Sequence, residues 1–310
     1  MLNRQIAKDY RFWFLLLALA TMLSSFVYPT KIEPRPTYQI IAIVDITRSM
    51  NAEDYHLDEK TVSRLEFVKH TLSELLLQLP CESKLGLGVF TDRRSTLLFD
   101  PIDVCTGHNE LDAAIKALDW RMAWAADSRI ASGLFSTLEM LKDRKETLLF
   151  MTDGHEAPPI NPRYRTDFSS VKNKLKGLVV GIGGTQPVPI PKYNQRGECE
   201  GFYSVEDVPH RSAFGESDLN PEKIEGYNAR NAPFGSAETI GTEHLSALNE
   251  SYLSQLSLEA GFEYLHLTEP QTMLAKLEAS NIYPVVKNSV ADIRWQWAIL
   301  ALSLTIALWL

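Results

Sequence analysis

Two long apolar runs, one near each end of the 310-residue chain, constrain the fold more than any other feature. They occupy residues 12–28 and 295–310, and neither contains a charged side chain. As helices rising about 1.5 Å per residue, each would extend about 25 Å, close to the ~30 Å hydrocarbon core of a bilayer. We therefore predict two transmembrane helices. A cleaved signal peptide is the alternative for the first run, but no small-x-small cleavage pattern follows it.

Basic residues predict how the chain is oriented in the membrane. Arg4, Lys8 and Arg11 precede the first run, and such residues favour the cytoplasmic side. Residues 1–11 would then form a cytoplasmic N-terminus, and residues 29–294 would lie on the other side. We therefore expect a protein of the inner, cytoplasmic membrane whose main domain faces the periplasm.

The region between the two runs alternates between strands and helices. Continuous apolar segments of strand length occur at residues 38–44, 147–151 and 178–181, as in strands buried on both faces of a parallel sheet. Leucines recur at helical spacing over residues 65–79, and Pro80 ends that pattern. Further helices are predicted around residues 111–118, 134–141, 252–258 and 273–277, with a last strand at 262–267. This order predicts an α/β fold with a doubly wound, mostly parallel sheet.

A hairpin is predicted to carry the chain's one disulfide bond. Strands at residues 85–90 and 96–99 flank a turn centred near Arg93 and Arg94, which places Cys81 opposite Cys105 to within one residue. Antiparallel neighbours lie within disulfide range, and the predicted compartment is oxidising. Two unpaired buried thiols are the alternative, and Cys199 is expected to stay free.

One long segment breaks the alternation of strands and helices. Residues 185–243 contain six prolines among many glycines, asparagines and serines. Such a composition favours turns over regular elements, and loops of this length usually carry function or lack order. We therefore predict a long loop insertion in the domain.

Polar motifs follow the ends of predicted strands. Asp45, Thr47 and Ser49 come directly after the first strand, Ser128 precedes a helix, and Asp153 follows a later strand. In a doubly wound sheet these strand ends meet at one edge, so the side chains are expected to converge. Carboxylate and hydroxyl oxygens suit Mg²⁺, with Ca²⁺ or Mn²⁺ as alternatives. The competing interpretation is that the two aspartates only cap the helices that follow them.

This pattern resembles the metal-ion-dependent adhesion site of von Willebrand factor A domains, which has D-x-S-x-S followed by a separate Thr and a separate Asp. Asp45, Thr47 and Ser49 match the first motif, Ser128 stands at the Thr position, and Asp153 at the final Asp. Both departures keep a hydroxyl. The resemblance implies a site that binds a carboxylate of a partner protein through the metal, without catalysis.

The resemblance also sets the predicted domain boundaries. It covers residues 37–285, with the insertion excepted, so residues 29–36 become a linker to the first membrane helix. No G-x-S-x-G or P-loop pattern occurs, and a net charge of −8 argues against nucleic acid as a partner. His155 and Glu156 could suggest acid–base chemistry, but we interpret them as residues of the loop after Asp153. We therefore expect a protein that is not an enzyme.

Longer segments indicate a biological setting. DITRSMNAEDY at 45–55, LPCESKLGLGVFT at 79–91, DWRMAWAADS at 119–128 and TDGHEAPP at 152–159 resemble the MxaL family of accessory proteins in methanol oxidation. That resemblance implies a role in maturing periplasmic methanol dehydrogenase, including insertion of its metal. The partner would be the dehydrogenase or another accessory protein of its cluster. The alternative is a Bat-type aerotolerance protein, which also anchors an A domain in the membrane.

One apolar cluster lies just before Ser128. Trp120, Met122 and Trp124 alternate along a short segment between two predicted helices. We expect them to pack in the core beside the metal face. The alternatives are that they line a ligand pocket or anchor a protein interface, where aromatic and Met side chains are enriched.

Overall fold

The computed structural model describes residues 9–125, 127–157, 165–194, 196–204, 207, 211–214, 237–240, 243–280 and 285–308. The chain divides into two compact units. One unit is Thr37–Val285, and the other joins the two chain ends, Met1–Pro36 and Val286–Leu310.

Helices and strands alternate along much of the described chain. The α-helices are α1 Tyr10–Val27, α2 Arg64–Gln78, α3 His108–Lys116, α4 Ile130–Leu141, α5 Glu250–Ala260, α6 Thr272–Ala279 and α7 Arg294–Ile306. Short 3₁₀ helices span Arg48–Asn51 and Trp120–Met122. The strands are β1 Thr30–Thr37, β2 Gln39–Asp45, β3 Tyr55–Leu57, β4 Lys60–Val62, β5 Lys84–Thr91, β6 Arg94–Asp103, β7 Thr147–Thr152, β8 Gly177–Ile182, β9 Val188–Pro189, β10 Pro191–Tyr193, β11 Cys199–Phe202, β12 Arg211–Phe214, β13 Ala237–Ile240, β14 Leu245–Ser246, β15 Glu263–Leu267 and β16 Val285–Asp292.

A six-stranded sheet forms the centre of the larger unit. Its order is β15-β8-β7-β2-β5-β6, and every neighbouring pair is parallel except β5 and β6. The predicted α/β fold with a mostly parallel, doubly wound sheet is confirmed. The chain starts at β2, extends to β5 on one side and returns to β7 on the other, so the strand order reverses beside β2. Ligands of such sheets bind at the carboxyl ends of the strands where this reversal occurs.

Both faces of the sheet are covered, as the apolar strand segments predict. On one face Ile40, Ala42 and Val44 of β2 join a buried cluster with residues of α2, α3 and α6. Ile41 and Ile43 point to the other face and pack with residues of α4 and α5. Alternate residues of a strand face opposite sides, so a strand covered twice needs a continuous apolar sequence.

The predicted hairpin and disulfide are both present. β5 and β6 pair antiparallel, and Lys84 lies opposite Asp103 at the open end. Just beyond that pair, Cys81 and Cys105 form a disulfide with a Cα–Cα distance of 5.3 Å. Cys199 is a free, exposed cysteine.

The insertion contains more regular structure than its composition predicts. Within it β10 pairs with β11 and β12 with β13, and β9 pairs with β14, which lies just after the insertion. The prolines of β9 and β10 lie in these small two-stranded sheets, where a missing N–H is tolerated. The expectation of a loop throughout is therefore wrong for these residues. Pro209, Pro221 and Pro233 lie outside the described residues.

The smaller unit holds the chain ends. Among the described residues, α1 is the one helix long and apolar enough to cross a membrane. α7 packs against α1, and the indole Nε1 of Trp297 donates a hydrogen bond of 3.1 Å to the carbonyl of Tyr28. α7 has 13 residues and extends about 20 Å, which is shorter than a membrane core. The span expected at residues 295–310 therefore stays a prediction, and residues 1–8 and 309–310 lie outside the described part of the chain.

The segment expected as a linker contains a strand. β1 pairs with β16 in a two-stranded sheet, and the amide of Ile293 donates to the carbonyl of Pro29 at 2.9 Å. Pro34 and Pro36 are two positions apart, so their missing N–H groups lie on the same edge of β1. The other edge remains available for pairing, which explains how a segment with two prolines forms a strand.

Candidate metal-binding site

The first predicted motif folds into a compact buried cluster at the end of β2. The Asp45 Oδ1 atom accepts hydrogen bonds from the amide and the hydroxyl of Thr47, at 2.8 and 2.7 Å. The Thr47 and Ser49 hydroxyl oxygens lie 3.3 Å apart. All three residues are buried, whereas Arg48 between them is exposed. The alternating sequence therefore places the three oxygen-bearing side chains on the inside of one turn.

The neighbouring strand β7 completes the surroundings of Asp45. The Thr152 hydroxyl donates a hydrogen bond of 2.6 Å to the Asp45 Oδ2 atom. Parallel pairing of Val44 with Met151 explains this approach, because it brings the ends of the two strands side by side. Thr152 was not among the predicted site residues, although its place one residue before Asp153 could have indicated it.

Asp153 reaches the same edge of the sheet but has different partners. Its Oδ2 atom accepts hydrogen bonds from Arg64 Nη1 at 2.6 Å and from the Ser246 hydroxyl at 3.0 Å. Its Oδ1 atom accepts one from the amide of His155 at 2.9 Å. Both oxygens are thus bound by the chain itself, and Arg64 supplies a positive charge at 2.6 Å.

Arg64 is a central residue of the site that the sequence did not predict. Its side chain is completely buried, and it donates to both oxygens of Asp54 at 2.6 to 3.0 Å. It also donates to the hydroxyl and the carbonyl of Ser246 at 2.6 and 3.2 Å. A Cβ at Gly183, which has a φ of +121°, would lie 2.7 Å from the guanidinium, so glycine is required there. These contacts connect the start of α2 to the carboxyl ends of β7 and β8 and to β14, which follows the insertion.

Ser128 lies near this edge of the sheet, with its hydroxyl unused. Its amide donates to the carbonyl of Ala157 at 2.8 Å, and the amide of Ala157 donates back at 2.9 Å. Ala157 follows Asp153 by four residues, so this bridge joins the Ser128 segment to the loop after β7. The Ser128 Oγ atom is buried and has no hydrogen-bond partner among the described residues. The structure shows no direct contact between Ser128 and the other four predicted residues.

Close helix packing fixes the position of Ser128. α4 begins two residues after Ser128, and a Cβ at Gly133 of α4 would collide with the ring of Phe90 at the end of β5. Only glycine allows α4 to approach β5 so closely. The start of α4 is further held by Glu156, whose Oε1 atom accepts hydrogen bonds from the amide of Ala131 at 3.3 Å and the hydroxyl of Tyr252 at 2.5 Å. Glu156 therefore joins α4 to α5, as expected of a loop residue.

Helix capping does not account for the two aspartates. The first α-helix after Asp45 is α2, and its cap is Ser63, whose hydroxyl accepts from the amide of Glu66 at 3.2 Å. The 3₁₀ helix Arg48–Asn51 has Thr47 as its N-cap, and Thr47 makes no side-chain cap bond. No α-helix starts in the described residues directly after Asp153. The side chains of Asp45 and Asp153 instead bind the residues of the site.

The electrostatics of the cluster favour a cation next to Asp45. Burial, and after it the negative charge of Asp153, raise the pKa of the Asp45 carboxyl to about 7, against the hydrogen bonds from Thr152 and Thr47. A buried carboxylate is costly unless a positive charge balances it. Arg64 provides that charge for Asp153, whereas no cationic side chain in the described part of the chain contacts Asp45.

The donor set near Asp45 fits a hard divalent cation. Thr47, Ser49 and Ser128 offer hydroxyl oxygens, and Asp45 offers a carboxylate, which are the ligand types that Mg²⁺ prefers. The buried Ser128 Oγ atom without a partner is what a missing ligand would leave. Asp153 would contribute its charge rather than a direct bond, because both its oxygens accept hydrogen bonds from the chain. No cluster of three or more His, Cys, Asp or Glu suggests a second metal site in the described ranges.

The apolar cluster before Ser128 is only partly in the core. Trp120 packs against the larger buried cluster, as expected, and the neighbouring Ala123 does so too. Met122 and Trp124 are 45% and 52% exposed, so the expectation of core packing is wrong for these two. The 3₁₀ helix Trp120–Met122 turns the chain so that successive side chains do not share one face.

The comparisons with known proteins agree with this fold. Residues 40–156 match the family model of the von Willebrand factor type A domain. The chain therefore contains a von Willebrand factor type A domain with its α/β fold. No protein with a curated description matches this chain in sequence.

Solved structures show weak similarity to this chain. An aerotolerance-related membrane protein from Bacteroides fragilis, with multiple mutations to serines, is 13% identical with a TM-score of 0.49, covering 78% of this chain and 97% of that one. BatB from Bacteroides thetaiotaomicron, a conserved hypothetical protein, is 14% identical with a TM-score of 0.48. The match covers 78% of this chain and 100% of that one. An uncharacterised membrane-spanning protein from Vibrio fischeri is 15% identical with a TM-score of 0.28. The match covers 79% of this chain and 97% of that one. Similarity at this level carries no argument about function.

Proposed function

We propose that this von Willebrand factor type A domain is a membrane-anchored module that binds a partner protein through a metal ion. Asp45, Thr47, Ser49 and Ser128 would hold Mg²⁺, with Asp153 contributing charge. One observation carries the proposal: the buried Asp45 carboxylate accepts hydrogen bonds from the hydroxyl groups of Thr47 and Thr152, and no cationic side chain in the described residues contacts it.

The ligand types explain why this site would bind rather than catalyse. Hydroxyl ligands are neutral, so a bound Mg²⁺ keeps positive charge and supplies a position for a carboxylate oxygen of the partner. The Thr47 hydroxyl bonds to Asp45 and to the Ser49 hydroxyl, and neither hydroxyl bonds to a described histidine or lysine that could activate it as a nucleophile. Glu156, one of the two acid–base candidates in the loop after Asp153, accepts hydrogen bonds that join two helices.

The anchor defines where binding would occur. α1 is apolar along its length, and the basic residues before it favour a cytoplasmic N-terminus. We therefore place the domain on the periplasmic face of the inner membrane. A module held there meets periplasmic proteins, or the outer parts of membrane proteins, as they are assembled.

Two biological settings follow from the sequence resemblances. In the first, the module assists maturation and metal insertion of methanol dehydrogenase, a proposal that rests on the motifs shared with the MxaL family. In the second, it acts in stress response or complex assembly like Bat-type aerotolerance proteins. The names of two solved structures reported above correspond to the second setting, but TM-scores of 0.49 and 0.48 are too low to argue for it.

Thermal unfolding of the full-length protein in lipid nanodiscs tests the metal site. A ligand that binds only the native state at 100 times its Kd stabilises it by about 2.7 kcal/mol. We expect Mg²⁺ to raise the Tm of the wild type and to leave that of Asp45→Asn unchanged, because the variant lacks the balancing carboxylate. Ca²⁺ and Mn²⁺, measured in parallel, identify the preferred ion.

Asp100→Asn is the matched control for this experiment. Asp100 is an aspartate with a largely exposed side chain that pairs with Arg144 on the surface. Its variant should keep the full response to Mg²⁺. An equal response of Asp45→Asn and wild type would remove Asp45 from the site and contradict the proposal.

A genetic experiment separates the two settings. In the organism that encodes the chain, an Asp45→Asn strain with normal levels of the protein would make inactive methanol dehydrogenase in the first setting. Added Ca²⁺ should then restore part of the activity if metal loading is the defect. Full dehydrogenase activity together with lost oxygen tolerance would exclude the first setting and support the second.

A further inference from the structure

Exposed apolar side chains border the proposed metal site. Met122 and Trp124 are 45% and 52% exposed, in the segment that leads directly to Ser128. The hydroxyl of Thr91, at the end of β5, donates to the carbonyl of Ala125 at 3.2 Å and holds this segment at the carboxyl end of the sheet. Single exposed apolar residues are common, but two large ones beside a polar site mark a candidate for binding.

The insertion is in contact with this segment. The Trp120 ring stacks on Tyr193 of β10, with 5.7 Å between centroids and 26° between planes. The 3₁₀ helices Arg48–Asn51 and Trp120–Met122 are also in contact with each other. The first metal loop and the insertion therefore each contact the Trp120 segment.

Arg48 adds a positive charge to this surface. It lies between the two hydroxyl residues Thr47 and Ser49, yet its own side chain is exposed. Its guanidinium lies 5.3 Å from the centre of the Tyr203 ring and makes no ion pair with a described residue. The neighbouring cations are already neutralised, because Arg121 pairs with Asp119 at 2.8 Å and Lys192 with Asp207 at 2.7 Å.

We propose that Arg48, Met122, Trp124 and Tyr203, here called the rim, are the docking surface for an acidic loop of a folded partner protein. One carboxylate of that loop would reach the metal, a second would pair with Arg48, and an adjacent apolar side chain would cover Met122 and Trp124. The proposal rests on the proposed function for the metal contact, whereas the rim is formed by the protein alone.

Charge favours this occupant at the rim. The whole chain has a net charge of −8, so its overall charge gives an acidic partner no general attraction. Local attraction by Arg48, together with a bound cation, would therefore confine an acidic loop to this surface. Exposed Trp and Met side chains can supply most of the binding energy of such a contact, as buried anchors do in protein interfaces.

Peptide selection on the full-length protein in nanodiscs tests the rim. A cyclic random-peptide library displayed on phage is selected in the presence of Mg²⁺, and the enriched peptides are synthesised and measured. We expect an Asp or Glu beside an apolar residue in the enriched peptides. Trp124→Ser and Arg48→Gln should each weaken binding about tenfold, the usual loss at an interface anchor.

The controls separate the rim from the metal site. Leu258→Ser and Leu77→Ser change residues that are 69% and 66% exposed on α5 and α2, and both should bind as the wild type does. Chelation of Mg²⁺ should abolish binding to all variants. Chelation that has no effect, with binding still lost in the rim variants, would refute the metal contact and support the rim.

Three results would overturn the rim proposal. Binding that depends on Mg²⁺ but is equal in wild type, Trp124→Ser and Arg48→Gln would refute the rim and support the proposed function. Enriched peptides without a carboxylate, or with basic residues in its place, would refute the acidic occupant. The proposal would also be refuted if no peptide is enriched on the wild-type protein relative to the Trp124→Ser protein.

Discussion

Asp45 and Asp153 lie at the same edge of the sheet, both buried, but they differ in what balances their charge. Asp45 is held by hydroxyl and amide donors, from Thr47 and Thr152, that carry no charge. Asp153 faces the buried guanidinium of Arg64. The two aspartates therefore differ in their partners: the Asp153 half contains its own cation, whereas the Asp45 half is the part that we propose takes a metal cation.

Removing the internal cation should have the largest effect on stability. Arg64→Met would leave Asp54 and Asp153 without their positive partner in the interior, which typically costs about 3–5 kcal/mol. Thermal or urea unfolding of the full-length protein in nanodiscs measures this loss. An Arg64→Met protein as stable as the wild type would break the comparison, because Asp153 would then not depend on Arg64.

A surface arginine provides the matched control. Arg144 pairs with Asp100 and Glu146 on the surface, where ion pairs contribute less than about 1 kcal/mol. Arg144→Met should therefore change the free energy of unfolding by less than about 1 kcal/mol. If both arginine variants lose the same stability, burial of Arg64 is not what makes its ion pairs important.

A smaller change sharpens the account of the Asp153 half. The Ser246 hydroxyl accepts from Arg64 and donates to Asp153, so it lies between two charges that also contact each other directly. Ser246→Ala should cost about 1 kcal/mol, the usual net value of such hydrogen bonds, because the direct ion pair remains. The response to Mg²⁺ in the same unfolding assay should stay as in the wild type. A loss of that response would show that the two halves are coupled.

The regular parts of the fold could be predicted from the sequence because their pattern depends on local periodicity. The apolar run at 38–44 corresponds to the buried strand β2, and the leucines at 65–79 to the helix α2, whose apolar side packs on the sheet. The hairpin placed Cys81 opposite Cys105, and the structure contains that disulfide. In each case neighbours in sequence determine the outcome.

The parts that could not be predicted depend on distant contacts. An arginine at the start of a helix is ordinarily exposed, so nothing local indicates that Arg64 is buried. Its partners Asp54, Asp153 and Ser246 are 10, 89 and 182 residues away. The exposure of Trp124 likewise depends on how a short 3₁₀ helix turns the chain, which an alternating sequence does not indicate.

The most direct test of the central claim is Mg²⁺ binding to the full-length protein carrying Ser128→Ala, measured by calorimetry beside its unfolding without metal. The Ser128 hydroxyl is buried without a partner, so its removal should leave metal-free stability unchanged or raise it by up to about 1 kcal/mol. Binding of Mg²⁺ should weaken about tenfold, because one ligand is lost. Unchanged Mg²⁺ affinity, or a metal-free protein destabilised by the change, would contradict the assignment of this edge of the sheet as a metal site.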